Sequence, residues 1–283
     1  MQYQLNAMFR GGKPNPTIAF LSVFSTNPLA ALAVDQPFDY CFLKQGNGGT
    51  QSLPRYRYGA VGNRIDNITD WSLNQFIAHY KSVKPDAGAK PCKITKDAIF
   101  HYVYAVLHDP HYRKKYAQNL KRDYPRIPYY PDFWTWANHG KKLFEMHAGF
   151  DDINGYPVKR TDKKDKRSEA AGLPPKTVLR AHPDDGTIVI DSDTTLSDIP
   201  EDAWCYRLAN RTAIEWVLDA YIEKTPKDAT INEEFNTYRF ADYKEDVITL
   251  LSKVIRLCID TVEMTNALAE ASPMKLAKTV KAG

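Results

Sequence analysis

The sequence contains no run of about 18 apolar residues long enough to cross a bilayer. Met1 to Phe24 also lacks the basic start, continuous apolar core and small-residue cleavage site of a signal peptide. No membrane partner is expected, and a cytoplasmic location follows as the default. The four cysteines, Cys41, Cys92, Cys205 and Cys258, are scattered and form no Cys-x-x-Cys pair, so neither a structural zinc nor a disulfide framework is signalled. Gly46-Asn47-Gly48-Gly49 is not followed by the lysine of a phosphate-cradling loop, and no Gly-x-Ser-x-Gly elbow is present. A large excess of charge of one sign is lacking too. With 38 Lys and Arg against 34 Asp and Glu, the formal charge of +4 permits nucleic-acid binding without demanding it, and the distribution of charge matters more than the total.

What is present suits a folded protein: 283 residues, 43% of them hydrophobic, can supply a sizeable core. Gly11 to Pro16 is a turn-rich break. Ile18 to Phe24 and Tyr40 to Leu43 read as short buried strands, and Gln45 to Gly49 as a flexible loop. A helix is expected within Asn67 to Tyr80, with Leu73, Phe76, Ile77 and Tyr80 on one side. Pro85 to Pro91 then separates this part from the centre of the chain.

Lys93 to His147 reads as three helices and a rigid turn. Thr95 caps the first helix, whose stripe is Ile99, Tyr102, Val103 and Val106. Asp109 caps a second that starts at Pro110 and buries Tyr112, Tyr116, Ala117 and Leu120. Pro125-Arg126-Ile127-Pro128 cannot continue a helix. The third begins after Asp132, with Phe133, Trp136, Ala137, Leu143 and Phe144 inward. His101, His108 and His111 are too poorly registered across Asp109-Pro110 for a metal site, so helix-end solvation or capping is the reading favoured for them.

Beyond His147 the charge-rich Lys159 to Arg167 has little to bury and reads either as a loop following a nucleic-acid backbone or, slightly ahead, as a solvated disordered loop. Thr177 to Arg180 and Thr187 to Asp191 read as paired strands joined through Pro183-Asp184-Asp185-Gly186. Thr212 and Glu215 have capping-box spacing, with Ile214, Val217, Leu218 and Tyr221 as the helix's apolar face. A last helix runs from about Ala241 to Leu268, and Ala271 to Gly283 reads as a mobile tail. The fold class is α+β: a β-containing N-terminal part over 1–90, and a helix-rich part over 91–283 with a hairpin insertion near 177–191.

Several of these segments carry a resemblance. Ile94-Thr95 through Leu107-His108, Tyr112-Arg113, Asp123 to Pro128 and Leu143 to His147 resemble the C-terminal specificity domain of Type ISP restriction-modification enzymes. Gln51-Ser52-Leu53-Pro54 with Tyr56 and Tyr58 upstream, and Ile199 to Trp204, Tyr206-Arg207 and Glu215-Trp216 downstream, extend it over most of the chain. The resemblance implies sequence-specific recognition of double-stranded DNA by a non-catalytic domain. Methyltransferase and helicase-nuclease domains, in the same or a separate chain, would methylate adenine and cut DNA. S-adenosylmethionine, ATP and magnesium are implied for that parent enzyme and no cofactor for this chain. In keeping with this, Asn15-Pro16 and Asn27-Pro28 lack the second proline and aromatic of an adenine-methyltransferase loop.

The site residues are physical choices and are not carried over from the family. Arg113, Lys114, Lys121 and Arg126 lie in a short cationic span suited to duplex phosphates. Charge alone favours a solvated helix face there, and the resemblance reverses that balance. Arg55 and Arg57, alternating with Tyr56 and Tyr58, would reach one face from a strand. Asn210 and Arg211 would read bases while Arg207 positions their loop, against the alternative of a turn asparagine and a solvated arginine. Two other functions stay open: a module docking on a methyltransferase, and a small magnesium-dependent nuclease using Asp184 and Asp191.

Overall fold

The computed structural model describes residues 7–21, 25–43, 49–81, 93–164, 166–228 and 230–274. Helices and several small sheets alternate along the chain, an α+β architecture. Two compact units are formed, the first from residues 1–150, 208–210 and 263–283, the second from 151–207 and 211–262. The boundary expected near residue 90, the Pro85–Pro91 separator and most of the Gln45–Gly49 loop lie outside the described residues.

In the first unit, β1 (Thr17–Leu21) is buried along its whole length, because it is the middle strand of an antiparallel sheet ordered β2-β1-β3, with β2 at Ala30–Val34 and β3 at Gln51–Pro54. Tyr40 to Leu43, expected as a strand, is a turn held by the Phe42 N–H donating to the Asp39 carbonyl at 3.1 Å. Its short apolar run serves packing: Leu43 is buried with Ala19, Leu21 and Ala30 behind the sheet. An antiparallel ribbon follows, β4 (Tyr56–Tyr58) with β5 (Arg64–Asp66), and then α1 (Asp70–Tyr80), capped by Thr69.

Helices α2 (Lys96–His108), α3 (Pro110–Lys115) and α4 (Phe133–Ala148) start at the anticipated caps: Thr95, Asp109 and Asp132 each accept a first-turn backbone N–H. Tyr102, Val106, Trp136, Leu143 and Phe144 form one core with Ile18, Phe20 and Ala31 of the sheet. Gly140 is required where α4 meets α2. A Cβ there would overlap the His101 carbonyl oxygen, with the carbonyl carbon at 2.7 Å. The second helix is shorter than expected. It stops at Lys115, and a 3-10 turn over Asn119–Lys121 returns Leu120 to the core while Ala117 stays exposed.

In the second unit the expected pair of strands is half of a four-stranded antiparallel sheet ordered β6-β9-β8-β7, made of Lys159–Asp162, Thr194–Ser197, Thr187–Asp191 and Thr177–His182. The segment read as a solvated loop thus begins as an edge strand. All four β6 residues are exposed, the pattern of an edge covered by charge, and this hides the strand from hydropathy. A short helix, α5 (Lys166–Ala171), follows β6. After β9 come α6 (Asp202–Cys205), α7 (Ala213–Ala220), opened by the Thr212–Glu215 capping box, and α8 (Lys244–Ala271). Val247, Leu251, Val254, Ile255 and Cys258 of α8 are buried, and burial pushes the Cys258 thiol up to about 12.

The start of the tail, expected as mobile, is anchored. Ser272 is buried, and its hydroxyl donates to Asp109 Oδ2 at 2.7 Å within the first unit; residues 275–283 lie outside the described set.

Candidate nucleic-acid interface

Tyrosine hydroxyls build the cationic span onto the core. Tyr112 donates to the Arg126 carbonyl at 3.0 Å, Tyr102 to the Pro128 carbonyl at 2.7 Å, and Tyr80 to the Tyr130 carbonyl at 2.6 Å. The Tyr130 N–H donates back to the Tyr102 hydroxyl at 2.7 Å. A proline-rich segment that cannot form a helix has its orphan backbone groups satisfied this way, so its course is fixed. Burial pushes the Tyr112 phenol up to about 12 and raises that of Tyr102 further, keeping both hydroxyls protonated as donors.

On this frame Lys114, Lys115, Arg122 and Arg126 are exposed and Lys121 is half-buried. None of them meets a carboxylate among the described residues. Lys115 lies over the Tyr116 ring at 5.5 Å. Between α3 and the turn is a cavity of about 430 Å³ bordered by Tyr112, Tyr116, Asn119, Asp123, Tyr124 and Arg126. Arg113 differs from its neighbours: half-buried, it donates from Nε to the Leu107 carbonyl at 2.6 Å and closes the end of α2.

The remaining site residues lie on other elements. Arg55 is 5% exposed and precedes β4, donating to Asp97 at 2.6 Å and to Asp66 at 2.7 Å. The hydrogen bond from Arg55 is the main cause that holds the Asp66 carboxyl below its usual range. Arg57 is exposed on β4, so the two arginines do not share an open face. Arg207 and Asn210 are exposed around Ala209, whose φ is +59°. Arg211 is half-buried, ion-paired to Asp219 and placed over the Trp216 ring at 6.0 Å. A partner eight residues along, across a cap and two helical turns, has no local spacing that reveals it.

The other candidates have structural work. Asp191 is buried, accepts the Asp193 and Thr194 N–H groups on Oδ1 at 2.9 and 2.7 Å, and pairs through Oδ2 with Lys244 at 2.7 Å. Asp184 is exposed at the far end of the hairpin, so the two carboxylates do not converge. Among the described residues no group of His, Cys, Asp and Glu could hold a metal ion. Of the two roles expected for it, solvation or capping at a helix end, His108 takes the second: it is buried, with Nδ1–H donating to the Tyr104 carbonyl at 2.8 Å; His147 Nδ1 bonds the Tyr104 hydroxyl at 2.5 Å. Burial lowers both, His147 to about 3, with Arg113 adding to the effect.

The strand expected around Tyr56 to Tyr58 is β4, but sequence reasoning passed over its partner β5, the turn between them and Arg64. The available signal was Gly59-Ala60-Val61-Gly62-Asn63, a turn-rich run between Tyr56-x-Tyr58 and Ile65.

Among the described residues no helix is long and apolar enough to cross a membrane. No curated protein matches the chain in sequence. The chain is similar to several solved structures. The DrdV–DNA complex, solved by cryo-electron microscopy, shares 44% identity at a TM-score of 0.82, over 94% of this chain and 26% of that one. A nuclease-deletion mutant of the Type ISP restriction-modification enzyme LlaGI, with a DNA substrate mimic, shares 26% at 0.66, over 94% and 22%. The ATP-dependent Type ISP enzyme LlaBIII, bound to DNA, shares the fold at 24% identity and 0.71, over 95% and 17%. The chain therefore spans about a quarter or less of the length of these enzymes. The family model of the Type ISP C-terminal specificity domain matches residues 1–250, and the chain belongs to that family.

Proposed function

We propose that this chain recognises a specific double-stranded DNA sequence and performs no chemistry of its own. The observation that carries the reading is the set Lys114 and Lys115 at the end of α3, Lys121 and Arg122 at the 3-10 turn and Arg126 on the tyrosine-clamped turn, none of which meets a carboxylate among the described residues. A surface already ordered loses little conformational entropy on binding, and its cations gain from counterion release along a duplex. Phosphate contacts orient such a domain, and a few polar side chains then read base edges. In this reading Lys114, Lys121 and Arg126 contact phosphates, Asn210 and Arg211 read bases, and Arg207 positions their loop.

The relatives described as DNA complexes support the assignment of the partner. Methylation of adenine and ATP-dependent cleavage would be done by methyltransferase and helicase-nuclease domains in the same or a separate chain. S-adenosylmethionine, ATP and magnesium would be bound there, in the cytoplasm. Asp184 and Asp191 do not fit a magnesium centre, since Asp191 already has both oxygens engaged.

The test is fluorescence anisotropy of labelled duplex over a range of salt. Replacing Lys114 and Lys121 by alanine should weaken binding to all duplexes alike and reduce the slope of log affinity against log salt by about 0.9 for each phosphate no longer neutralised. An unchanged slope would assign these lysines to a solvated face. Binding to a methyltransferase partner with none to duplex DNA would replace the proposal with a docking role.

A further inference from the structure

The β4–β5 ribbon, residues 56–66 of the first unit, is held at its base and braced at its tip. At the base, Asn15, wholly buried, donates to the Tyr56 carbonyl at 2.7 Å and accepts the Tyr56 N–H at 3.2 Å. The Arg55 guanidinium ties the start of one strand to Asp66 at the end of the other. At the tip, the Gly59 N–H donates to the Asn63 carbonyl at 3.0 Å, and Gly62 takes a φ of +87°. Arg10 reaches across to donate to the Gly59 carbonyl at 3.1 Å. These contacts present Val61, 88% exposed, at the end of a fixed projection.

The register decides what the two faces carry. Arg57 pairs with Ile65 and Tyr58 with Arg64, so Arg57 and Arg64 stand on opposite faces. Both are exposed, and neither meets a carboxylate among the described residues. Arg64 is pre-positioned by its place over the Tyr56 ring, at 4.2 Å, with Arg55 at 4.4 Å from the same ring. A lone exposed valine is ordinary on a protein surface. A braced tip with a cation on each flank is a shape that duplex DNA complements. The major groove, about 12 Å wide and about 8.5 Å deep, admits a two-stranded ribbon. Three paired rungs at about 3.3 Å each reach about 10 Å, enough to bring the tip to the groove floor.

Resting on the DNA-recognition reading, we propose that the ribbon enters the major groove tip first, with Arg57 and Arg64 on the two phosphate walls and Val61 against the floor. The apolar group that a valine meets there is the 5-methyl of thymine. The ribbon thus contributes both affinity and a preference for thymine at one position.

The experiment uses the full chain and two labelled probes, a duplex selected by the wild-type chain from a random pool and an unrelated duplex. Arg57→Ala with Arg64→Ala should lower the salt slope by about 0.9 per arginine on both probes, and lysine at both positions should restore it. Val61→Ala should weaken the selected duplex about fourfold, as for the loss of one of the two valine methyls from the floor contact, and leave the unrelated one unchanged. Uracil in place of the contacted thymine should cost the wild type a similar factor and the Val61→Ala chain nothing further. Melting temperatures should not move, because all three side chains are exposed. A wild-type slope retained by the double variant, or equal loss from uracil in both chains, overturns the ribbon's role while DNA recognition stands. Failure of the wild type to bind either probe overturns both.

Discussion

Replacing Gly140 by alanine sets two effects of known sign against each other. In the middle of α4, alanine is the better helix former by about 1 kcal/mol, so an isolated helix would be stabilised. In this chain the new Cβ would overlap the His101 carbonyl oxygen, lie 2.7 Å from the carbonyl carbon and 3.1 Å from Ala105 Cβ. Two of those neighbours are backbone and cannot rotate away, so α2 and α4 must separate along a seam that buries Tyr104, Ala105, Leu143 and Phe144. Overpacking of this kind costs about 1–3 kcal/mol, and contact with rigid backbone puts it at the upper end. The net effect expected is a loss of about 2 kcal/mol, or about 4–8 °C in melting temperature for a chain of this size. Urea and thermal unfolding of Gly140→Ala beside the wild type measure it. Because Tyr102 on α2 holds the Pro128–Tyr130 backbone, duplex affinity should fall as well. An alanine variant that melts at or above the wild-type temperature would refute the close approach of these helices.

Acid should destabilise the fold through His147. Its folded pKa, about 3, lies below the ordinary 6.5, so the unfolded chain takes up a proton first, and stability present above pH 6.5 is lost as pH falls towards 3. At pH 5 the loss is about 2 kcal/mol, read by urea unfolding at pH 7 and pH 5 and smaller in His147→Gln; a wild-type curve with no such loss contradicts the neutral buried imidazole. Arg55→Ala should cost about 2 kcal/mol, less than for a fully buried pair because Asp66 and Asp97 are 40% and 61% exposed and regain water. Arg57→Ala should stay within about 0.5 kcal/mol, and equal melting temperatures for the two would remove the distinction drawn between them. Arg211→Ala should weaken the selected duplex by about 1–3 kcal/mol and an unrelated one by less, in parallel titrations; no loss on either would take this loop out of the interface.

The helices were legible because their signals are local. Thr95, Asp109, Asp132 and Thr212 each cap a helix through the backbone immediately after them, and the apolar positions of α2 and α4 recur at helical spacing. The strands were half legible. β1, β7 and β8 announce themselves by apolar β-branched runs, whereas β2, Ala-Ala-Leu-Ala-Val, has the composition of a helix and becomes a strand through pairing with β1. β6, Lys-Arg-Thr-Asp, carries no apolar residue at all. It is specified by β9 across from it and by Arg160, whose guanidinium meets Glu245 at 2.7 Å from 85 residues away.

The same division between local and distant information explains the cations. Arg55 and Arg57 stand two apart in a stretch of alternating tyrosine and arginine, and nothing in their immediate neighbours separates them. What separates them is Asp97, on a helix 42 residues further on, which reaches Arg55 and leaves Arg57 to solvent. A carboxylate partner converts an arginine into a strut, and its absence leaves charge for a polyanion. Lys114 and Lys121 are therefore better founded as phosphate contacts than Arg55, held by Asp66 and Asp97, or Arg113, held by the Leu107 carbonyl, and Arg211 must give up its pairing with Asp219 to read a base. By that criterion Arg64, which no motif marked, joins Arg57 on the flanks of a ribbon that ends in Val61.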